Sequence, residues 1–295
     1  MQVYMKGNEK VAGGDHVSME ENMGRINWIS VSGGKDSTAL LLWSIEEELP
    51  NCRYVYADTQ HEHPSVYEYL TYLEDETGVH IERVQSEGFL EMCKRKGRFP
   101  STKARFCTES LKIIPIAKHI ESASPGETHR IFVGVRAEES PARADLPPSM
   151  MREVKFPPRQ CVKQEMWHPL LRWDWKEVFA IHKRSGIKPN PLYKMGMNRV
   201  GCFPCVMARR QELKTMFKKF PEVVDKIRQW EEEVGEDAKA RGNGEEHSFF
   251  PWAMFPVGAE PGGIDAFVAL LDDGPELPGL EQDLGGCMSI YGLCE

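Results

Sequence analysis

The feature that most constrains the fold is a glycine-rich turn, Ser-Gly-Gly-Lys-Asp-Ser at residues 32–37, between a strand-like and a helix-like segment. Half of residues 25–32 are apolar, as in a buried strand, and residues 36–49 carry apolar side chains at helical spacing before Pro50. A strand that enters a helix through two glycines presents backbone N–H groups and the positive end of the helix dipole. The sequence therefore predicts an anion-binding loop in an α/β fold.

Most residues of this loop suit a phosphate ligand. Gly33 and Gly34 allow close backbone approach and unusual φ angles. Ser32 and Ser37 supply hydroxyl donors, and Lys35 supplies a full positive charge. The loop is not a Walker A loop, whose glycines are more widely spaced before the lysine. An ordinary glycine turn is the alternative interpretation.

The alternation of short apolar strands and helices continues along the chain. Strands are predicted at 25–32, 53–58, 79–84, 130–136 and 164–171, and helices at 36–49, 64–77, 108–120, 174–185, 208–220 and 221–234, with a distortion at Pro115. This alternation predicts a doubly wound, mostly parallel sheet with helices on both faces. Residues 137–159 contain five prolines and are predicted as a long loop, residues 189–191 as a turn, and the chain after Gly235 as an irregular tail.

The predicted organisation has three parts: a leader at 1–24, a nucleotide-binding domain at 25–205, and a helical and irregular extension at 206–295. With 295 residues, 41% of them hydrophobic, the chain can bury one large core and a smaller appendage. It contains no apolar run of about 20 residues that would span a bilayer, and its first 22 residues lack a secretory signal. We therefore expect a cytoplasmic protein with no membrane partner.

The net charge of −8 argues against a general nucleic-acid coat protein. One local cluster is nevertheless basic and contains no acid: Lys94, Arg95, Lys96, Arg98, Lys103 and Arg105. This cluster is interpreted either as a solvated loop or as a phosphate contact.

Polar residues follow the second predicted strand. Asp58 ends it, and ligands of open α/β sheets bind outside the carboxyl ends of the strands. Asp58 is therefore a candidate to hold Mg²⁺ or to orient a nucleotide. His61 and His63 come next, and zinc ligation is an alternative role for them.

Five segments occur in an order that resembles a known family. They are the loop at 32–37, Arg-Phe-Cys-Thr with Leu-Lys at 105–112, Gly-Val-Arg-Ala-Glu-Glu-Ser at 134–140 with Arg143, Asn-Pro-Leu-Tyr at 190–193, and Gly-Cys-Phe-Pro-Cys at 201–205. Together they resemble the phosphoadenosine phosphosulfate reductase family, within the PP-loop ATP pyrophosphatase superfamily, whose fold is adenine nucleotide alpha hydrolase-like. The resemblance covers residues 25–210 and implies an adenine nucleotide as the partner.

The resemblance also implies roles for individual residues. The nucleotide-binding residues would be Ser32, Gly33, Gly34, Lys35, Asp36, Ser37, Asp58, Lys112, Gly134 and Arg136. The catalytic residues would be Lys35, Asp36, Arg136 and Arg143. Guanidinium groups suit phosphate and sulfate oxygens, and a surface salt bridge is the alternative role for each arginine.

The eight cysteines suggest a metal site more than a disulfide framework. Cys202 and Cys205 have the spacing of two thiolate ligands, and the resemblance implies Cys107 as the third. The tail offers Cys294 as the fourth ligand, with Cys287 as the alternate. The prediction is a [4Fe–4S] cluster; a structural zinc and a redox dithiol at Cys202–Cys205 are the alternatives. The remaining cysteines, Cys52, Cys93 and Cys161, are predicted to be buried or inert.

Three functional hypotheses follow. The first is a reductase acting on a sulfonucleotide with a thiol reductant such as thioredoxin. That reaction requires a reactive cysteine, and the ECGxH-like motif that carries it in the family is absent from this sequence. The second is an ATP pyrophosphatase that uses Mg²⁺ and adenylates an acceptor for sulfur insertion. In this form the chain is similar to the PP-loop protein of DNA phosphorothioation, and the acceptor would be a nucleic acid. The third is a non-catalytic nucleotide-binding protein.

Overall fold

A computed structural model describes residues 25–101, 103–242, 248–250, 254 and 262–273. Within them, one sheet has the strand order β3-β2-β1-β4-β6-β5. The strands are β1 (Asn27–Ser30), β2 (Cys52–Asp58), β3 (Ile81–Gln85), β4 (His129–Phe132), β5 (Ser149–Phe156) and β6 (Gln160–Trp167). All neighbouring pairs are parallel except β5 with β6. The predicted, mostly parallel α/β sheet is confirmed.

The helices alternate with these strands through the first part of the chain. They are α1 (Lys35–Glu46), α2 (Pro64–Thr77), α3 (Phe89–Lys96), α4 (Ile114–Ala123), α5 (Pro141–Ala144), α6 (Trp175–Arg184), α7 (Pro191–Lys194), α8 (Arg210–Lys219), α9 (Glu222–Ala240) and α10 (Ile264–Asp273). Among the described residues, no helix has the length and apolar character needed to cross a membrane.

The sheet is covered on both faces, as predicted. Successive strand residues point to opposite faces, so Trp28 and Ile29 belong to two different apolar clusters. The cluster around Ile29 includes side chains of α1, α2 and α6, whereas the cluster around Trp28 includes side chains of α4. Both residues are fully buried.

The strand order reverses at β1. From β1 the chain moves outward to β2 and β3, and it then returns to the other side of β1 to form β4. In open α/β sheets, the crevice at such a reversal is where ligands bind, outside the carboxyl ends of the strands. The loop at 32–37 follows β1, and residues 134–136 follow β4, so the fold brings these two segments to the same crevice.

The prediction of a long loop at 137–159 is wrong. This segment contains a 3₁₀ turn (Ala137–Glu139), α5 and the edge strand β5. The prolines suggested a loop, but they lie beside β5 and not within it: Pro147 and Pro148 precede the strand, and Pro157 and Pro158 follow it. Because β6 pairs with β5 in a hairpin, it begins at Gln160 and ends at Trp167, four residues before the predicted end.

The predicted helices are all present, with shifted ends. The helix predicted at 108–120 extends from 106 to 123, with a π-helical stretch at Glu109–Ile113 just before Pro115. Among the described residues, four helices were not predicted: α3, α5, α7 and α10. α3 covers part of the basic cluster, which therefore is not all loop, and α10 lies in the predicted irregular tail. The leader at 1–24 lies outside the described residues.

Candidate nucleotide-binding site

The loop between β1 and α1 is folded tightly on itself. The Ser32 N–H donates to Ser37 Oγ at 3.1 Å, and Ser37 Oγ donates to the Gly34 carbonyl at 3.1 Å. Gly33 has a φ of +80°, a conformation that favours glycine. Gly34 is the N-cap of α1 and has no side chain to cap the first turn. The loop therefore combines a helix N-terminus with close backbone access, as an anion site requires.

Residues from the far end of the domain hold this loop in place. His182 Nε2 donates to the Lys35 carbonyl at 2.9 Å, and Asn190 Nδ2 donates to the Gly33 carbonyl at 3.3 Å. The Lys35 N–H donates to Tyr193 Oη at 2.8 Å. The Asn-Pro-Leu-Tyr motif thus supports the loop from outside. His182 was missed by the sequence reasoning, because a histidine on a helix has no motif that announces this contact.

A buried carboxylate lies at the centre of the site. Asp36 is fully buried, and its two oxygens lie 2.5 Å from Lys35 Nζ and 2.5 Å from Arg136 Nε. Burial lowers the pKa of Arg136, but the charges of Asp36 and the neighbouring glutamates outweigh it, so the pKa is raised and the group stays a cation. One carboxylate therefore orients two cations at the crevice.

The segment that follows β4 approaches the loop so closely that residue 134 has to be glycine. A Cβ added at Gly134 would lie 2.9 Å from the backbone oxygen of Asp36 and 3.2 Å from the backbone nitrogen of Ser37. Real Cβ atoms essentially never approach backbone that closely. Gly134 therefore lets β4 bring Arg136 against Asp36.

Arg143 lies behind Arg136. Its side chain is buried and forms an ion pair with Glu139, which accepts the Arg136 N–H at 2.9 Å. Arg136 also pairs with Glu138. These contacts place Arg143 where it supports the segment that carries Arg136. A direct contact between Arg143 and an anion stays a prediction.

Two other predicted binding residues lie on neighbouring elements. Asp58 ends β2, is half-buried, and accepts from Tyr67 Oη at 2.8 Å and from the Gln60 N–H at 2.9 Å. Lys112 is buried in the π-helical stretch. Nucleotide contacts by both residues stay predictions.

The two histidines after β2 have structural roles. His61 is fully buried, donates from Nε2 to the Pro204 carbonyl at 2.8 Å, and stacks on Phe89 with 4.4 Å between ring centroids. His63 accepts the Ser65 N–H and caps α2. These contacts give both side chains a part in packing and helix capping, and zinc ligation by them stays an alternative prediction.

His61 predicts a loss of stability in acid. Burial, with the charge of Lys226, lowers its pKa from 6.5 to about 3, so the folded state holds it neutral. The unfolded chain takes up a proton below pH 6.5 that the folded chain does not, so stability falls as the pH drops. We expect His61 alone to reduce the free energy of unfolding by about 1.4 kcal/mol between pH 7.5 and 5.5.

Urea unfolding at the two pH values checks this prediction. A His61→Gln variant keeps an amide donor near the Nε2 position, and it should lose about 1.4 kcal/mol of the pH dependence. Burial also lowers the pKa of His168 and His182, so part of the acid sensitivity should remain. An unchanged pH dependence in His61→Gln would contradict the prediction.

The cysteine segment lies beside β2. Glu62 and Cys202 form an antiparallel bridge, and Cys202 Sγ is 3.9 Å from Thr59 Oγ1. Cys205 Sγ accepts the Met207 N–H at 3.4 Å, and Cys107, Cys202 and Cys205 are half-buried. Across the described part of the chain, no three His, Cys, Asp or Glu side chains are grouped as a metal site, and Cys287 and Cys294 lie outside it. The cluster stays a prediction.

The basic cluster is partly neutralised. Lys94 pairs with Glu91 and Glu233, and Arg95 pairs with Glu87. Lys96 and Arg98 are exposed and lie over the Phe106 ring, 5.6 and 5.4 Å from its centroid. The cluster is therefore a mixed surface rather than a uniform phosphate-binding loop.

Comparison with known proteins adds a family match. Residues 26–208 match the model of the phosphoadenosine phosphosulfate reductase domain. An uncharacterised 37.8 kDa protein of Escherichia phage 186 is 36% identical, and the match covers 80% of this chain and 82% of the relative. Adenosine 5'-phosphosulfate reductase of Anoxybacillus flavithermus is 28% identical over 170 residues, 56% of this chain and 67% of that protein. The crystal structure of phosphoadenylyl-sulfate reductase from Candida auris, a phosphate complex, has 16% identity and a TM-score of 0.45, covering 61% of this chain and 82% of that one.

Proposed function

Because the chain belongs to the phosphoadenosine phosphosulfate reductase domain family, we propose that it is an enzyme that binds an adenine nucleotide at the loop 32–37 and acts on its sulfate or phosphate end. One observation carries the proposal: Lys35 and Arg136 share the buried carboxylate of Asp36 at the point where the strand order reverses. Two oriented cations beside a helix N-terminus suit a polyanion.

Each part of the site has a share in binding. The backbone of the loop receives phosphate oxygens, and Lys35 and Arg136 balance their charge. His182 and Tyr193 hold the loop in shape through the backbone of Lys35. Asp58, at the end of the neighbouring strand, orients the rest of the nucleotide or a bound cation.

We propose reduction of a sulfonucleotide as the first candidate reaction. A cysteine thiolate attacks the sulfate sulfur, the S–O bond to the nucleotide breaks, and the nucleoside phosphate leaves with the electron pair. A second thiol, from a reductant such as thioredoxin, then attacks the cysteine sulfur, releases sulfite and leaves a disulfide. The family match supports this candidate, and the attacking thiol is sought among Cys287 and Cys294, which lie outside the described residues.

ATP pyrophosphate cleavage is the second candidate. It is favoured by the acids of the crevice, since Lys35 and Arg136 both have a carboxylate partner and Asp58 ends the strand next to β1. A triphosphate with four negative charges would then need Mg²⁺, for which carboxylate oxygens are suitable ligands. The adenylated acceptor would be a nucleic acid, and the exposed Lys96 and Arg98 are candidate contacts for it.

One experiment separates the two reactions. The protein is purified anaerobically, and sulfite release from adenosine phosphosulfate and phosphoadenosine phosphosulfate is measured with a thiol donor, beside AMP and pyrophosphate release from Mg·ATP. Sulfite supports the reductase, and AMP with pyrophosphate supports the adenylating enzyme. If calorimetry detects no binding of any of the three nucleotides, the proposed function is wrong.

We also propose that the chain holds a [4Fe–4S] cluster through Cys107, Cys202, Cys205 and one tail cysteine, Cys294 before Cys287. The surroundings of Cys205 suit a cluster ligand, because the Met207 N–H donates a hydrogen bond to Cys205 Sγ, as backbone N–H groups do around cluster thiolates. Zinc is the alternative for the same thiolates. A bound cluster would supply a redox or electrostatic centre.

The ligand assignment predicts a loss of metal on mutation. Cys202→Ser should remove most of the iron and acid-labile sulfide, because serine is a poor ligand for iron–sulfur clusters. Cys161→Ser is the matched control, since that thiol is exposed on β6, and it should keep both. Iron, sulfide and zinc are measured on the same anaerobic samples. A Cys202→Ser protein with full iron and sulfide would exclude Cys202 as a ligand.

A further inference from the structure

Helix α9 lies outside the matched family domain, which ends at residue 208, yet it packs against the segment that follows β2. Its Trp230 ring is 4.8 Å from the His61 ring, and His61 follows the end of β2 by three residues. Lys226, one turn before Trp230, places its ammonium 4.5 Å from the centroid of that ring. The extension thus brings a cation to the carboxyl end of β2.

The charge of Lys226 is only partly offset by a nearby acid, Glu62. Within the described ranges, its half-buried ammonium forms no ion pair, and its one polar contact is the Trp230 ring. Glu62 is the carboxylate whose charge acts on it, but Glu62 already accepts the Thr59 hydroxyl at 2.6 Å and the His61 N–H at 3.1 Å. Burial lowers the pKa of Lys226, which shows that the environment disfavours the bare charge.

We propose that Lys226 is an anion-binding residue of the site, contributed by the extension, and that it contacts a phosphate or sulfate oxygen of the nucleotide. The position explains why an ammonium is kept half-buried beside an aromatic ring: a bound anion offsets the cost of its desolvation. This inference rests on the proposed function, since it assigns the residue to the same nucleotide. It gives the extension a direct part in binding.

The test compares Lys226→Met with Lys226→Arg by calorimetry, using ATP, adenosine phosphosulfate, adenosine and pyrophosphate as ligands. Lys226→Met keeps the apolar stem and should weaken binding of the charged ligands by about tenfold. Adenosine binding should not change, and Lys226→Arg should keep most of the affinity. Lys118→Met is the matched control, because Lys118 also lies over an aromatic ring, 5.2 Å from the centroid of Phe156, but at the opposite edge of the sheet.

The outcomes separate this inference from the proposed function. If the wild type binds nucleotides and Lys226→Met binds them equally well, Lys226 is a packing residue and the inference is wrong while the function stands. If the wild type binds pyrophosphate but no nucleotide, the proposed function is wrong. The pyrophosphate affinities of the wild type and of Lys226→Met then test whether Lys226 binds an anion. If the wild type binds neither, both are wrong. A loss of affinity for adenosine equal to that for ATP would also overturn the inference, because it would indicate a distorted site.

Discussion

Replacing Gly134 by alanine is expected to reduce nucleotide affinity by more than a hundredfold. The new Cβ would lie 2.9 Å from the Asp36 carbonyl oxygen and 3.0 Å from its carbon, and both are backbone atoms that no rotamer change can move. Either β4 or the first turn of α1 must shift, and Arg136 then loses its position against Asp36. Overpacking of this kind also costs about 1–3 kcal/mol of unfolding free energy.

Gly235→Ala is the control for this prediction. Gly235 lies within α9, and a Cβ there would meet nothing within 4 Å. Alanine at this position should leave nucleotide binding unchanged and raise the free energy of unfolding by up to about 1 kcal/mol, because alanine favours a helix. Calorimetric titration and urea unfolding measure both variants. A Gly134→Ala protein that binds as tightly as Gly235→Ala would mean that the close approach does not matter for the ligand.

The surroundings of Gly134 show which parts of the site can be predicted from the sequence and which cannot. The loop at 32–37 is local: two glycines, a strand before them and a helix after them determine its geometry within a few residues. The apolar periods of the flanking segments predict parallel strands and helices, and these are confirmed. Gly134 contacts Asp36 only because β4 returns beside β1. The order of the motifs indicated that both residues belong to the site, but it did not indicate that they are in contact.

Contacts made by residues that lie outside any recognisable motif could not be predicted from the sequence. His182 supports Lys35 from α6 across 147 positions of sequence, and it does so as a buried neutral side chain on an amphipathic helix. Lys226 lies in a segment without a recognised motif. The edge strand β5 was hidden because its flanking prolines suggested a loop, and only its pairing with β6 makes it a strand. In each case, tertiary contacts decide what the local sequence leaves open.

The contacts of Asp36 also explain why Lys35 and Arg136 both have carboxylate partners. In a buried crevice, a lone guanidinium would be costly to desolvate, so Arg136 is held between Asp36 and Glu138. Lys35 is held in the same way on the other oxygen of Asp36. A phosphate bound as proposed would therefore meet cations that are already oriented, and binding would not have to order them.

Asp36→Asn is expected to lower the free energy of unfolding by about 3–5 kcal/mol, because it removes the carboxylate shared by the buried Arg136 and the half-buried Lys35. Asp36 is fully buried and the Arg136 side chain is 4% exposed, so water cannot replace the lost partner. Arg136→Met should cost a similar amount for the opposite reason, since it removes a cation from the buried carboxylate of Asp36. The double variant Asp36→Asn/Arg136→Met should be destabilised by less than the sum of the two, because each single change already breaks the pair.

Glu46→Gln is the control: it breaks the pair of Glu46 with Arg184, in which both side chains are nearly half exposed, and should cost less than about 1 kcal/mol. Urea unfolding of the four variants measures these energies. If the two single effects add to within about 0.5 kcal/mol in the double variant, Asp36 and Arg136 are independent, and the central ion pair does not organise the site.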